Sequence, residues 1–321
     1  MRSYWMVATE TEARIEPREL DVPQPGPTQM LVRVRAAGLN RGEFIIGGLT
    51  KAGSAKALGI EGAGEVVSVG AQVKRFAPGA RVMGRFPGAM AEYVLAEEGQ
   101  TLAVPDGLSW EEAGALPTTY MVAHDMLVLQ GGLKAGGWLL VTGVTSGVGV
   151  ASLQIAKALG AKVIGTSGSQ QKLDKLEPLG LDVAVCARTG FQPQVMDATG
   201  GAGVNLVVNN VGGSVFAEAV RCLAFEGRLA TVGYVDNVLK AEIDLQALHA
   251  RRLVLFGVSQ KMTSAAQKAE GTRLFAEQML PLVASGRLRP LIDRVFPFDQ
   301  VQAARAHMEA NAHVGKIVIT A

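Results

Sequence analysis

The residues best placed to do chemistry lie in the turn Gly143-Val144-Thr145-Ser146-Gly147-Val148-Gly149. Glycines at this spacing let a phosphate approach backbone N–H groups at the start of a helix, where the helix dipole is positive. A Cβ at Gly147 or Gly149 would block the phosphate or part the helix from the sheet behind it. The turn reads as a pyrophosphate cradle for a dinucleotide. Some twenty residues on, an NAD enzyme usually carries an acid that holds the ribose 2′-hydroxyl. Here the run is Ser167-Gly168-Ser169-Gln170-Gln171-Lys172, with two hydroxyls, a lysine and no acid at the ribose. Lys172 can meet a 2′-phosphate as a point charge, so the run predicts NADPH over NADH.

These groups need a scaffold. Trp138-Leu-Leu-Val-Thr142 is a short apolar strand, and Val148, Ala151, Ile155 and Leu159 recur at helical spacing up to a stop at Gly160. Lys162–Thr166 is a second strand, completing a βαβ unit. Asp182–Cys186, Val204–Asn209, Gly227–Gly233 and Leu253–Val258 are further short apolar runs that alternate with helical segments. This order predicts a doubly wound parallel sheet. By position, Asn210-Val211, Gly233-Tyr234 and Phe256-Gly257-Val258 fall at the carboxyl ends of later strands, where such sheets bind ligands.

The flanking sequence has a different texture. Met30–Ala37 alternates as a half-buried strand does, and Gly64–Gly70, Ala80–Met83 and Ala91–Leu95 are short strands between glycine and proline breaks. Ser109 is a fair N-cap, with Glu111 and Glu112 in the first turn, and helical pattern runs from Thr119 to Leu129. Gly271–Ser285 is amphipathic, and β texture returns in Arg294–Phe298 and Lys316–Thr320. The predicted division is a β-rich domain of residues 1–118 and 289–321 around an α/β nucleotide domain of residues 119–288.

Composition narrows the class. A net charge of +2 with interspersed signs gives no basic run for nucleic acid or anionic membrane. Two cysteines, Cys186 and Cys222, make no disulfide framework and point to a reducing, cytoplasmic setting. The opening residues lack the apolar core of a signal peptide. The uncharged stretches 135–156 and 199–217 are broken by glycines and polar residues, so no transmembrane helix is predicted.

The order of elements, with Gly38-Leu-Asn40 and Glu43, Gly59-Ile-Glu-Gly-Ala-Gly-Glu-Val66, Ala89-Met-Ala-Glu-Tyr93, Ala115-Leu-Pro-Thr118, Ser146-Gly-Val-Gly149 and Gly315-Lys-Ile-Val318, resembles the medium-chain dehydrogenase/reductase superfamily. Within it the chain is similar to the zinc-free quinone oxidoreductase branch. The resemblance implies a GroES-like β-barrel joined to a Rossmann sheet. Zinc alcohol dehydrogenases carry a cysteine and a histidine where this chain has Asn40 and Ile60. Where they carry four cysteines for structural zinc, it has Arg85-Phe-Pro-Gly-Ala-Met90. Neither zinc is expected.

Without that Lewis acid, the implied reaction is hydride addition to the C=C of a quinone or α,β-unsaturated carbonyl. The resemblance places Ser146, Gly147 and Val148 on the pyrophosphate, Ser167, Gly168 and Lys172 on the 2′-phosphate, and Asn40 near the substrate. Asn210, Val211, Gly233, Phe256, Gly257 and Val258 are expected to line ribose and nicotinamide, Tyr234 to donate to the acceptor or pack beside the cofactor, and Lys316 to anchor the cofactor or a domain boundary. Relatives often have a tyrosine after the asparagine; here Phe44-Ile45-Ile46 offers no proton donor. Tyr120-Met121-Val122 likewise replaces a Gly-Leu-Thr cofactor contact. His124 and Asp125 are expected to be structural, and His249, His307 and His313 to be scattered surface residues without metal spacing. A non-catalytic NADPH-binding redox sensor or structural protein is the other expectation. Leu253–Val258 is expected as the pairing edge of a homodimer.

Overall fold

The computed structural model describes residues 1–8, 13–44 and 54–321. Two compact units divide the chain: Met1–Thr118, Ser264–Ala284 and Ile292–Ala321 form one, and Thr119–Thr263 with Ser285–Leu291 forms the other.

The first unit opens with β1 (Arg2–Ala8), β2 (Ala13–Glu19), β3 (Gln29–Leu39), β4 (Ala55–Ala57), β5 (Gly62–Val69), β6 (Arg81–Gly84), β7 (Tyr93–Glu97) and β8 (Thr101–Ala103). The ribbon β1–β2 is absent from the sequence expectation because β2 reads ARIEPRE, charged and carrying a proline. Both are what an outer strand tolerates, and β2 is the edge of a three-stranded sheet ordered β2-β1-β4. The long strand β3 is the hub of the other sheet. It is flanked by β5 along one edge and by β7 along part of the other. Its alternation buries Met30, Val32 and Val34 among Val66, Val82, Phe86 and Met90, while Arg33 points to water. The helix Trp110–Ala115 starts where expected: Ser109 Oγ accepts from Glu112 N–H at 3.2 Å and Glu112 Oε2 accepts from Ser109 N–H at 2.9 Å. This reciprocal pair satisfies two orphan donors at the helix start.

The second unit holds β9 (Trp138–Thr142), β10 (Lys162–Ser167), β11 (Val183–Cys186), β12 (Val204–Asn209), β13 (Leu223–Thr231) and β14 (Val254–Gly257). They form a parallel sheet ordered β11-β10-β9-β12-β13-β14, the Rossmann order, with its reversal between β9 and β12. β9 is buried at Leu139, Leu140 and Val141, as a strand covered on both faces should be. β13 begins before the expected Gly227, because its pairing with β12 jumps from Leu223 to Arg228 across a bulge in which Glu226 takes φ +58°. That polar excursion breaks the apolar run.

β15 (Ile292–Pro297) and β16 (Lys316–Thr320) return to the first unit, with β16 between β15 and β3. The late amphipathic helix runs Ala265–Gln278, not from Gly271. Ser264 and Gln267 cap it reciprocally, a spacing legible in the sequence but not read there. It belongs to the first unit, not to the nucleotide unit as the division at 288/289 had it; a Cβ on Gly99 would lie 3.2 Å from Ala269. Among the described residues no helix is long and apolar enough to cross a membrane.

Candidate functional site

At the end of β9, Gly143 takes φ +65° and starts the turn. Ser146 is the N-cap of the twelve-residue helix Gly147–Ala158, and its Oγ accepts from Gly149 N–H at 3.0 Å. Its own N–H donates to Gly143 O at 3.1 Å. Ser146 therefore shapes the turn, and its backbone N–H is spent there, contrary to the expectation of a phosphate contact. Gly147 and Val148, the first two helical residues, are left to present their N–H groups at the positive end of the helix. A Cβ on Gly149 would lie 2.5 Å from Val144 O and 2.7 Å from Gly143 O, so only glycine lets the helix seat this close to the strand.

At the next strand end, Ser167 is buried and its Oγ accepts from Ser169 N–H at 3.3 Å. Gly168 is exposed, and Lys172 lies half-buried on the short helix Gln170–Asp174. The residue missed in the sequence is Arg188. A Cβ on Gly168 would meet Arg188 Nε at 2.7 Å, so the guanidinium stands over the Ser167–Gly168 turn. The pairing of Ser167 with Cys186 carries it there. Its sequence signal is a cation two residues past the strand beside β10.

The switch point is held by paired asparagines. Asn209 Oδ1 accepts from Val211 N–H and Gly212 N–H, each at 3.1 Å, and Asn209 Nδ2 donates to Gly212 O at 3.0 Å. Asn210 N–H donates to Thr142 Oγ1 at 3.2 Å and its Nδ2 to Thr142 O at 3.1 Å, which ties β12 to β9. Gly233 follows β13; its Cβ would lie 2.8 Å from Asn210 O. Val211 is half-buried, Tyr234 is 50% exposed, and Phe256 and Gly257 end the outer strand β14, with Val258 directly after it. The sheet thus gathers these candidates at one end, but gives Asn210's amide N–H a structural task.

In the first unit, Asn40, Glu43, Glu61 and Lys316 form a buried polar cluster. Lys316 Nζ donates to Leu39 O at 3.0 Å, Asn40 Oδ1 at 2.8 Å and Glu61 Oε1 at 2.7 Å. A lysine has three N–H donors, and all are used here, so none remains for a cofactor. Asn40 Nδ2 donates to Glu61 Oε1 at 2.7 Å and to Glu43 Oε1 at 3.1 Å. Its amide is an internal strut, with no N–H left for a substrate oxygen. Glu61 Oε2 accepts from Thr118 N–H at 2.6 Å, which braces the turn that follows β8's domain. Burial pushes the Glu43 carboxyl up to about 7, against the opposing pull of Asn40 and Lys316.

Zinc would need cysteine or histidine donors with a free position. Asn40 and Ile60 stand there instead, and both Glu61 oxygens are already engaged. These residues do not fit zinc. Elsewhere, His307 Nε2 lies 2.8 Å from Asp293 Oδ2, with His313 6.3 Å away between ring centroids. These two histidines are clustered, not scattered as expected. Among the described residues no group of three or more His, Cys, Asp or Glu could hold a metal ion.

Comparison with known proteins agrees with this geometry. An alcohol dehydrogenase GroES-like domain model matches residues 26–106, and a zinc-binding dehydrogenase model matches residues 147–276. The chain is 34% identical over 306 residues to erythronolide synthase EryA2 of Saccharopolyspora erythraea. That match covers 94% of this chain but only 8% of the relative. A crystal structure of an NAD-dependent alcohol dehydrogenase is 30% identical, with TM-score 0.86 and full coverage of both chains. Mycobacterial Rv1454c complexed with NADPH gives 26% identity, TM-score 0.90 and full coverage of both. Pseudomonas syringae pv. Tomato DC3000 quinone oxidoreductase gives 26%, 0.87 and full coverage of both. With its GroES-like and Rossmann parts, its glycine turn and these relatives, the chain belongs to the medium-chain dehydrogenase/reductase superfamily of oxidoreductases.

Proposed function

We propose that the chain is a zinc-independent, NADPH-dependent reductase of quinones or of the C=C bond of α,β-unsaturated carbonyls. The observation that carries this reading is the metal position itself, where Lys316, Asn40 and Glu61 close on one another. With no Lewis acid there to hold an alkoxide, a conjugated acceptor, which spreads charge over its own carbonyl, is the substrate that suits the site. Similarity to a quinone oxidoreductase and to an NADPH-bound relative supports it.

The Gly143–Gly149 turn suits a nucleotide, since Gly149 leaves no room for a Cβ and so lets the helix start close to the end of β9. Gly147 and Val148 N–H would take the pyrophosphate, and Ser167, Gly168, Lys172 and Arg188 the 2′-phosphate. Bound there, NADPH supplies a hydride from its nicotinamide ring. Val211, Gly233 and Phe256–Val258 would line the inner part of the site and keep water out. Tyr234, exposed beside Gly233, is the hydroxyl in this group able to donate to an acceptor oxygen. β14 is the outer strand of its sheet and would pair with its copy in a homodimer.

The test mixes purified protein with NADPH and a panel of quinones and 2-alkenals, following loss of nicotinamide absorbance, with metal analysis on the same sample. Turnover without stoichiometric zinc is expected. Tight NADPH binding with no turnover would replace an enzyme by a nucleotide sensor.

A further inference from the structure

The helix Gly213–Arg221 follows β12 and has no capping side chain of its own, because Gly212 stands at its N-cap. Its first N–H groups find partners in the loop that follows β13. Gly213 N–H donates to Val238 O at 2.9 Å. Ser214 N–H and Ser214 Oγ donate to Asp236 Oδ2 at 2.8 and 2.5 Å. Asp236 Oδ1 accepts from Val238 N–H at 2.9 Å, and Asp236 N–H donates back to Val211 O at 3.0 Å. At the near end of the loop, Val232 N–H donates to Asn209 O at 3.1 Å.

The steric fit is as close. A Cβ on Gly212, which takes φ +129°, would lie 2.1 Å from Asp236 Oδ1. One on Gly213 would lie 2.6 Å from Val238 Cγ1 and 2.7 Å from Val238 O. Two adjacent glycines thus let the loop seat against the β12 turn, and the anion at this helix start is a side chain of the protein. Tyr234 and Val235 lie between the anchors and are 50% and 47% exposed, so their own burial does little to hold them.

The place of this clasp follows from the sheet. Asn209 pairs with Thr142 at the end of β9 and with Thr231 at the end of β13, so the glycine turn, the β12 turn and the β13 loop start side by side. All three belong to one compact unit. We propose that Asp236 is a positioning residue: by closing the β13 loop onto the β12 turn, it fixes Val211, Gly233 and Tyr234 as a wall for the nicotinamide end of the nucleotide. The inference rests on the NADPH reading above and adds to it a holding point whose own oxygens are spent on Ser214 and Val238.

The experiment measures two ligands by calorimetry on wild type, Asp236→Ala and Gly212→Ala. Adenosine 2′,5′-bisphosphate tests the phosphate end alone, and NADPH adds the nicotinamide half. Each variant is expected to raise the NADPH Kd about tenfold and to leave the adenosine 2′,5′-bisphosphate Kd within about twofold, as for loss of charge-assisted bonds at one end of the site. The fluorescence of bound NADPH should move toward that of free NADPH in both. The double variant should be no worse than either single one, because both open the same clasp. Should these variants fail to fold, Ser214→Ala removes only the hydroxyl bond and should show the same split at about threefold. Unchanged NADPH binding would overturn the proposal. Equal weakening of both ligands would overturn it too, by making Asp236 a general support of the fold. A wild type that binds neither ligand would overturn the nucleotide reading and the assigned role with it. Trypsin cleavage after the exposed Lys240, expected to be faster in Asp236→Ala, would then still decide whether Asp236 holds the loop.

Discussion

The Glu43 carboxyl makes stability itself depend on pH in a calculable way. Its ordinary value is 4.5, and burial among Asn40, Glu61 and Lys316 lifts it to about 7 in the folded chain. Below 4.5 folded and unfolded chains are both protonated there, and the full stability is present. As pH rises toward 7 the unfolded chain loses this proton and the folded chain keeps it. Each pH unit of that window removes about 1.4 kcal/mol, so the loss approaches ~3 kcal/mol once pH passes the folded value. Glu43→Gln cannot ionise and escapes the loss. It carries a separate, pH-independent cost, because a buried amide N–H₂ then sits where Oε2 has no hydrogen-bond partner among the described residues; such an orphan costs about 1–3 kcal/mol. The absolute stabilities therefore matter less than their difference. The stability of the variant relative to wild type should improve by ~3 kcal/mol between pH 4.5 and 8. Urea unfolding at a series of pH values measures it. Trp5 and Trp110, both in the first unit, supply the fluorescence in a Trp138→Phe background. A difference between the two proteins that stays constant with pH would refute the assignment of a raised carboxyl to Glu43.

Gly149→Ala should abolish measurable NADPH binding by calorimetry and lower stability by about 1–3 kcal/mol, because its Cβ would sit 2.5 Å from Val144 O. Lys172→Ala and Arg188→Ala should each raise the NADPH Kd about tenfold or more and leave the NADH Kd nearly unchanged, as expected for loss of a charge-assisted phosphate contact. Equal weakening of both nucleotides would remove these side chains from the 2′-phosphate. Val254, 39% exposed on β14, is the edge position to challenge: Val254→Asp should shift a dimer toward monomer in sedimentation. A wild type that already sediments as monomer would end that idea.

The parallel sheet was legible because its strands are short, apolar and buried on both faces, as Leu139 to Val141 are. The turn was legible because Gly143, Gly147 and Gly149 leave few other readings. Polar partners were harder. Asn40 and Lys316 are 276 residues apart, and only the antiparallel pairing of β16 with β3 brings them to 2.8 Å. No spacing rule reveals that the two satisfy one another's hydrogen bonds. Arg188 was hidden for the same reason, since its place depends on β11 lying beside β10. β2 was hidden by its charges, which suit an outer strand and mimic a loop. Ile45 and Ile46 lie outside the described residues.

The position of β16 bears on how the protein is made. This strand is inserted between β15 and β3, and its first residue, Lys316, reaches Leu39, Asn40 and Glu61. During synthesis the ribosome releases β3 and β5 long before it releases β16. Until then the inner edge of β3 at Ala36–Leu39 lacks its neighbour, and the Glu61 carboxylate lacks its ammonium. A nascent chain must carry that open seam while the Rossmann unit is translated and closes on its own. Cotranslational folding of this protein should therefore finish its second-made unit first, and chains that stall before residue 316 are the ones a cellular chaperone would hold.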